Sequence, residues 1–321
     1  MKKLFIAFIF LLGCQYINSQ AKDTLIDGSK HQIYELPNGE IYTYDRPRFF
    51  DFITKLPKDF TGTIKGIGEK ENLIALGAAT VTTVALLPAD QYLTDRSREI
   101  GGKLGMAPVA RYKTFGPLSN IPPDIPSAIY LIGNGTTPIL LSMGFTAYGL
   151  INNDYRSLHT ASGLIESIAI SGIFSQTIKR ISGRQSPSDT EGGVPGGEWN
   201  PFPSFKAYAN NTPNYDAFPS GHVMTATSAL YVILGNYPEV KWIKPVGFGL
   251  IGILGFQMAQ SHVHWVSDYP VALVMGYIIG KNIAKRKMKK SELLTENKKY
   301  SYDFNASRNN GFNMLKLTIT F

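Results

Sequence analysis

The chain has 321 residues and a formal net charge of +8, with 44% hydrophobic and 17% charged residues. This composition excludes an intrinsically disordered chain and is sufficient for a large buried core. The single cysteine, Cys14, lies in the N-terminal leader, which excludes a disulfide scaffold and a cysteine-ligated metal site. The positive charge is concentrated in 281–299, directly after the last apolar run. Such a local block is typical of a membrane surface or a solvated segment, so we expect no nucleic-acid partner.

Residues 1–20 have the pattern of a secretory signal peptide, with two lysines at the start, an apolar stretch and small residues near Ser19. An uncleaved membrane anchor and lipid attachment at Cys14 are the alternatives, and all three export the N-terminus. Residues 21–71 are mixed and polar. They predict a short exported extension with little core of its own.

Long uncharged runs rich in Ala, Gly, Leu and Ile begin at residue 72. They predict helices over 72–89, 125–153, 167–178, 223–238, 245–261 and 269–280. A membrane span needs about 20 apolar residues, and each of these runs is either shorter or interrupted by glycine. A membrane bundle and a soluble bundle of very apolar helices therefore both fit. We favour the membrane, because the second and fifth runs would otherwise need unusually complete burial.

The domain prediction is a helical domain over 72–285, followed by a basic segment and tail over 286–321 whose end alternates like a strand. The basic residues after 280 predict a cytoplasmic end for the last helix, and hence periplasmic loops at 179–222 and 261–268. Six crossings would then leave 21–71 in the cytoplasm, which conflicts with an export signal. Either one run does not cross, or the domain lies wholly in the periplasm.

A Pro-Ser-Gly-His segment, residues 219–222, opens the fourth predicted helix. The free N–H groups and positive dipole end of a helix N-terminus favour an anion. Ser220 can cap this helix, Gly221 allows the backbone to approach a ligand closely, and His222 then lies beside the bound anion.

Two further clusters lie at the ends of other predicted helices. Lys179 and Arg184, near the end of the third, could both reach one phosphate. His264 and Asp268 are four residues apart, so on a helix the carboxylate could hold one ring nitrogen of the histidine. Such a pair with a second histidine nearby suits covalent catalysis, in which one histidine attacks and the other protonates the leaving group.

These clusters, in this order, resemble the motifs of the type 2 phosphatidic acid phosphatase and vanadium haloperoxidase superfamily over about residues 72–283. The resemblance implies an all-α fold, a six-helix bundle of the acid phosphatase/haloperoxidase type, here membrane-embedded with a short exported N-terminal extension. It implies hydrolysis of a phosphate ester without a metal or other cofactor. In this scheme His264 forms a phosphohistidine, Asp268 orients it and His222 protonates the leaving oxygen. The phosphoryl oxygens are held by Lys179, Ser220 and Gly221.

The sequence departs from the family pattern at two cationic positions. The first-motif arginine falls on Ser186 and the third-motif Ser-Arg pair falls on Gln257-Met258. Arg184 could replace the first arginine, and the candidates for the second are Arg46, Arg48, Arg96 and Arg98. Losing a charge-assisted contact typically costs about 10²–10³ in rate.

The leading hypothesis is a membrane phosphatase in a bacterial-type cell envelope. Its active site faces the periplasm, and its substrate is a lipid or isoprenoid phosphate. A non-catalytic phosphate-binding membrane protein and a soluble periplasmic acid phosphatase are the alternatives, and a haloperoxidase ranks last because vanadate needs more cationic ligands. The oligomeric state and the substrate head group stay open.

Overall fold

The computed structural model describes residues 22–26, 29–106, 113–115, 118–190, 197–292, 301–309 and 312–320. The strands are β1 (Lys22–Ile26), β2 (Ser29–Glu35), β3 (Glu40–Asp45), β4 (Lys113–Phe115), β5 (Leu118–Ile121), β6 (Lys289–Glu292), β7 (Ser301–Asn309) and β8 (Phe312–Thr320). The α-helices are α1 (Asp51–Thr54), α2 (Leu56–Ile67), α3 (Lys70–Leu86), α4 (Asp90–Lys103), α5 (Ile125–Tyr130), α6 (Thr136–Ile151), α7 (Tyr155–Ser182), α8 (Phe205–Asn210), α9 (Gly221–Asn236), α10 (Ile243–Gln260) and α11 (Tyr269–Lys287). The predicted signal peptide, residues 1–20, lies outside the described residues.

The described chain is mostly helical, as the sequence predicted, and each predicted apolar run lies mainly in helices. The run 125–153 is divided between α5 and α6 by a turn that ends at Gly135, whose φ of 91° is a left-handed conformation that favours glycine. The third predicted helix, 167–178, lies within the longer α7. Glu166 does not end this helix, because its carboxylate is paired with cations inside the protein. The number of helices in the bundle and its membrane embedding stay predictions.

Helices α9 and α11 make the closest helix–helix contact at the centre of the bundle. A Cβ atom added to Gly276 would lie 2.6 Å from the carbonyl oxygen of Met224, and one added to Gly280 would lie 2.3 Å from that of Ser228. Only glycine allows the two backbones to approach this closely. Helix α7 packs against both, so these three helices form the interior.

The outer helices α3, α6 and α10 turn large apolar side chains away from the bundle. The most exposed of them include Leu73, Ile74, Val81, Val84, Leu140, Met143, Val246, Leu250 and Ile253. Among the described residues, one helical stretch, Lys70–Lys103, is long and apolar enough by length and composition to cross a membrane. It consists of α3 and α4 joined by a 3₁₀ turn at Leu87–Ala89. Helix α6 is apolar but shorter.

The all-α prediction is incomplete, because the segment expected to have little core contains part of a four-stranded antiparallel sheet. Its order is β1-β2-β3-β6, and Tyr42 of β3 pairs with Lys290 of β6. The buried rings of Tyr34, Tyr42 and Tyr44 form a small aromatic core with Tyr155 at the start of α7. Tyr42 and Tyr44 are two residues apart and so lie on one face of the strand. The alternation at the chain end predicted a strand, and β8 lies there, paired with β7.

The sheet lies at the N-terminal end of α7. Gln32 donates a hydrogen bond to the carbonyl of Asn153 (2.7 Å) and accepts one from the N–H of Tyr155 (2.7 Å). His159 Nε2 lies 2.8 Å from the carbonyl oxygen of Asp45. Twenty residues separate His159 from Lys179 in α7, which is about 30 Å along a helix. The sheet and the C-terminal end of α7 are therefore at opposite ends of the bundle.

A buried charge network joins α2, α7 and α11. Glu166 accepts hydrogen bonds from Lys287 Nζ (2.9 Å) and Arg286 Nη2 (2.6 Å), and Arg286 also donates to both carboxylate oxygens of Asp59. Glu166 and Asp59 are fully buried. Two cations and two carboxylates balance within the network, which is what allows these charges to lie in the interior.

Replacing Glu166 with Ala should lower the free energy of unfolding by about 3–5 kcal/mol, because it leaves Lys287 buried without a carboxylate partner. The matched control is Glu99→Ala, which removes an exposed carboxylate that also contacts two cations, Arg96 and Lys103. Thermal unfolding of the detergent-solubilised protein measures both. We expect no measurable change for the control, and equal unfolding temperatures for the two variants would contradict this account.

Candidate active site

Lys179 lies in the last turn of α7, where the negative end of the helix dipole stabilises a cation. Its Nζ donates a hydrogen bond of 2.9 Å to the carboxylate of Asp216, which also accepts a short hydrogen bond from the hydroxyl of Tyr208. Lys179 is buried. The helix ends at Gly183, which has a left-handed φ of 56°, and an added Cβ there would lie 1.7 Å from the carbonyl oxygen of Asn200. The chain turns back at this point and brings the following loop over the end of α7.

The first turn of α9 contains the predicted anion-binding segment. The side chain of Ser220 caps the helix by accepting a hydrogen bond from the N–H of Val223 (3.3 Å). The N–H groups of Gly221 and His222 point out of the first turn and have no carbonyl partner within the helix. A Cβ atom added to Gly221 would lie 3.7 Å from Lys179 Nζ. The lysine ammonium therefore lies directly beside the helix N-terminus.

Asp268 ends a 3₁₀ turn, Val266–Asp268, and His264 lies in the loop two residues before it, so the pair is not on an α-helix. His264 Nδ1 is 3.5 Å from Asp268 Oδ2, and the same oxygen accepts a hydrogen bond from the N–H of Trp265 (2.8 Å). Asp268 is fully buried and His264 nearly so. The backbone carbonyl of Asp268 accepts from the N–H of Ser220 (3.1 Å). This bond ties the turn to the start of α9.

The rings of His222 and His264 are in edge-to-face contact with their centroids 5.7 Å apart, and Tyr130 packs edge-on against His222 at 4.6 Å. Lys179 lies beside the same helix turn. The three predicted clusters, which are up to 89 residues apart in the chain, thus come together at one end of the bundle. Their individual roles stay predictions.

Arg184 is directed at carboxylates. Its guanidinium donates to Asp90 (2.7 Å), to Asp268 (2.5 Å) and to the hydroxyl of Ser267 (2.7 Å), and its side chain is only 2% exposed. Asp90 also accepts a hydrogen bond from the N–H of Ser267 (3.0 Å). The assignment of Arg184 to phosphate binding stays a prediction. Its contacts instead support a positioning role, since they fix the carboxylate that lies beside His264.

The two cationic positions that the sequence lacks are occupied by buried residues. Met258 is fully buried, and its carbonyl accepts from the N–H groups of Val263 (3.0 Å) and His264 (3.4 Å). Among the arginines considered as replacements, Arg98 is next to the loop before His264, with Nη1 3.3 Å from the ring nitrogens of His262. Arg46 follows β3 and so lies at the opposite, sheet-bearing end.

Sequence reasoning missed Asp90, Asp216 and Tyr130. Asp216 is three residues before Pro219, so an acidic residue next to the motif was a signal that could have found it. Asp90 reaches Arg184 from 94 positions away, and Tyr130 reaches His222 from 92. Neither has a local sequence signal, because only the packing of α4 and α5 against α10 brings them to the site.

The environment of His222 favours a neutral imidazole. Burial, the neighbouring ring of His264 and the ammonium of Lys179 together lower the pKa of His222 well below its ordinary value. A phosphate dianion bound between these groups would have the opposite effect, because it stabilises the protonated ring. Anion binding and protonation of His222 would thus favour each other.

The model of the PAP2 superfamily matches residues 160–291. This match confirms the resemblance drawn from the motifs and supports a phosphatase. The PAP2-matched segment contains Lys179, Arg184, His222, His264 and Asp268.

Among solved structures, the crystal structure of a transmembrane PAP2 type phosphatidylglycerolphosphate phosphatase from Bacillus subtilis is similar to this chain at 12% identity. The similarity covers 67% of this chain and 94% of that chain, with a TM-score of 0.41. No curated protein sequence matches the chain significantly.

In the ligand-free protein, His222 should titrate below the ordinary histidine pKa of about 6.5. Lys179→Met should raise the pKa of His222, because it removes a nearby cation. The measurement is the pH dependence of the ¹⁵N shifts of the imidazole ring, assigned with His222→Asn. Lys206→Met, at an exposed lysine of α8, is the matched control and should leave the titration unchanged. An ordinary or raised pKa for His222 would contradict this electrostatic account.

Proposed function

We propose that this protein is a membrane phosphatase that hydrolyses a lipid or isoprenoid phosphate monoester or diphosphate through a phosphohistidine intermediate. The observation that supports this most is the convergence of two histidines, 5.7 Å apart, on a buried lysine and a helix N-terminus. This arrangement offers a nucleophile, an acid and donors for a tetrahedral anion within one small volume.

In the first step, the carboxylate of Asp268, 3.5 Å from Nδ1 of His264, favours the proton on that nitrogen and so leaves Nε2 as the nucleophile. Nε2 attacks phosphorus, the N–P bond forms, and the bond to the leaving oxygen breaks. His222, protonated when the substrate binds, transfers its proton to that oxygen. The lysine ammonium and the first N–H groups of α9 stabilise the charge on the phosphoryl oxygens.

In the second step, His222 is neutral and accepts a proton from a water molecule that attacks the phosphohistidine. The N–P bond breaks, and phosphate leaves with the oxygen of that water. Arg184 takes part in neither transfer. In this proposal it holds Asp268 in place through an ion pair, with Asp90 as the second carboxylate that holds the guanidinium.

Three observations support a membrane-spanning bundle. The outer helices expose large aliphatic side chains, and about 30 Å of α7 separates the sheet from the site, which equals the hydrocarbon thickness of a bilayer. Exposed aromatic residues lie near both ends, as at the two interfaces of membrane proteins. Those near the site are Trp199, Phe202 and Phe205, and those near the sheet are Phe49, Phe50 and Trp242.

A membrane-spanning bundle would put the sheet and the site on opposite sides of the bilayer. An exported 21–71 segment and a periplasmic active site therefore exclude each other in such a bundle. We propose that the site faces the periplasm, because the sheet end has the exposed lysines Lys281, Lys285, Lys289 and Lys290, as cytoplasmic ends do.

A non-catalytic phosphate-binding protein is the second candidate. It is favoured by the loss of two cations, since Ser186 and Met258 offer no charge to a phosphoryl group and Arg184 is occupied by two carboxylates. A soluble acid phosphatase is disfavoured by the exposed aliphatic faces of the outer helices.

His264→Ala should lower phosphate release from phosphatidate by about 10³-fold or more, because it removes the proposed nucleophile. His222→Asn should also lower phosphate release, because it removes the group that protonates the leaving oxygen and accepts the proton of the attacking water. In wild-type protein, acid quenching during turnover of a substrate with a radiolabelled phosphate should trap acid-labile label on the protein. The control is His262→Asn, since His262 has a φ of 57° and asparagine accepts that conformation. Wild-type protein that binds inorganic phosphate without any turnover would support the second candidate instead.

Cysteine labelling tests the orientation. In a Cys14→Ser background, Lys206→Cys near the site and Lys30→Cys in the sheet, both exposed, should react with an impermeant maleimide from opposite sides. In whole cells with a permeabilised outer membrane, we expect only Lys206→Cys to be labelled. Labelling of both would show that the bundle does not separate the sheet from the site across a bilayer.

A further inference from the structure

An open groove runs along the outside of α9, between α6 and α10. Its volume is about 330 Å³, which is within the range of small-molecule sites. Small residues of the surrounding helices create the space, namely Ala226 and Ala229 on α9 and Gly144 on α6. We propose that this groove binds one hydrocarbon chain of the substrate, and so selects lipid phosphates by their chain. This inference rests on the proposed function.

The lining of the groove suits a hydrocarbon chain. It is formed mainly by aliphatic and aromatic side chains, among them Leu141, Leu230 and Ile233. The hydroxyls of Thr137 and Ser157 also line it, but each donates to a backbone carbonyl, of Leu131 (3.0 Å) and Phe145 (2.9 Å). Neither hydroxyl donor is therefore left for a polar ligand.

The groove begins at the candidate active site. Ala226 lies one helical turn after His222 on α9, and Ile132 of the lining precedes Gly133. A Cβ atom added to Gly133 would lie 2.7 Å from the Cβ of His222. A phosphate held at the N-terminus of α9 would thus have its ester oxygen next to the mouth of the groove.

The length of the groove suits a lipid chain. From Ala226 to Tyr237 it follows eleven residues of α9 and its C-cap, or about 17 Å. Half of a bilayer core is about 15 Å. Trp242, Val246 and Leu250 form a side of the groove and are roughly half-exposed, so a chain can move in sideways from the surrounding lipid.

Gly144→Leu should fill the groove and test the proposal. We expect kcat/KM for dipalmitoyl phosphatidate in detergent micelles to fall at least about tenfold. Hydrolysis of p-nitrophenyl phosphate, which has no chain, should be unchanged. The matched control is Gly77→Leu on α3, where an added Cβ meets no atom within 4 Å. Val246→Trp, which fills the groove from its exposed rim, should reproduce the effect without disturbing the core.

The proposal would be overturned if Gly144→Leu and Val246→Trp lowered kcat/KM equally for dipalmitoyl phosphatidate and p-nitrophenyl phosphate. It would also be overturned if they lowered it for neither substrate. A binding measurement separates this failure from that of the proposed function. Phosphatidate with a brominated chain should quench the fluorescence of Trp242, identified by comparison with Trp242→Phe, in wild type and in Gly77→Leu. It should quench less in Gly144→Leu. If wild-type protein shows this quenching but releases no phosphate, the groove is supported as a chain-binding site and the proposed phosphatase activity is rejected.

Discussion

The arrangement of the candidate site depends on one buried guanidinium. Arg184 lies between the carboxylates of Asp90 and Asp268, and all three side chains are almost completely removed from solvent. A charge in such a place requires compensation, because burial without a partner is very unfavourable. The cluster joins the start of α4, the end of α7 and the turn before α11. The helix ends that bear Lys179 and the His264–Asp268 pair are therefore held in one geometry.

Sequence reasoning predicted the helical elements and the three clusters because both are local. Apolar runs indicate helices, and Pro219 to His222 indicate a helix start whatever surrounds them. It failed for the sheet, since β3 pairs with β6 across about 250 residues and the pairing of Tyr42 with Lys290 has no local signal. It failed in the same way for Asp90, whose importance follows only from its contact with Arg184. Arg184 was expected to bind phosphate because it is close to Lys179 in the sequence. That expectation did not include Asp90, which approaches Arg184 from another helix.

Among the residues that the structure describes, fewer cations are directed at an anion than the motif pattern would provide. Ser186 and Met258 are neutral, and Lys179 shares its charge with Asp216. The helix N-terminus of α9 and the ability of His222 to gain a proton then carry more of the electrostatic stabilisation of a bound phosphoryl group. A substrate with additional binding energy of its own, such as an apolar chain, would offset weak anion binding. In the proposed function, the charge deficit and the apolar groove would thus complement each other.

The glycine contacts between α9 and α11 have a mechanical consequence. Gly276 and Gly280 let the two backbones touch, so neither helix can slide or tilt without its partner. One begins at His222 and the other directly follows Asp268, so the histidine spacing is set by a stiff two-helix frame. The peripheral helices α6 and α10 instead lie on either side of the groove and do not contact each other this closely. The close contact that sets the histidine spacing and the groove proposed for the hydrocarbon chain thus lie in different layers of the same bundle.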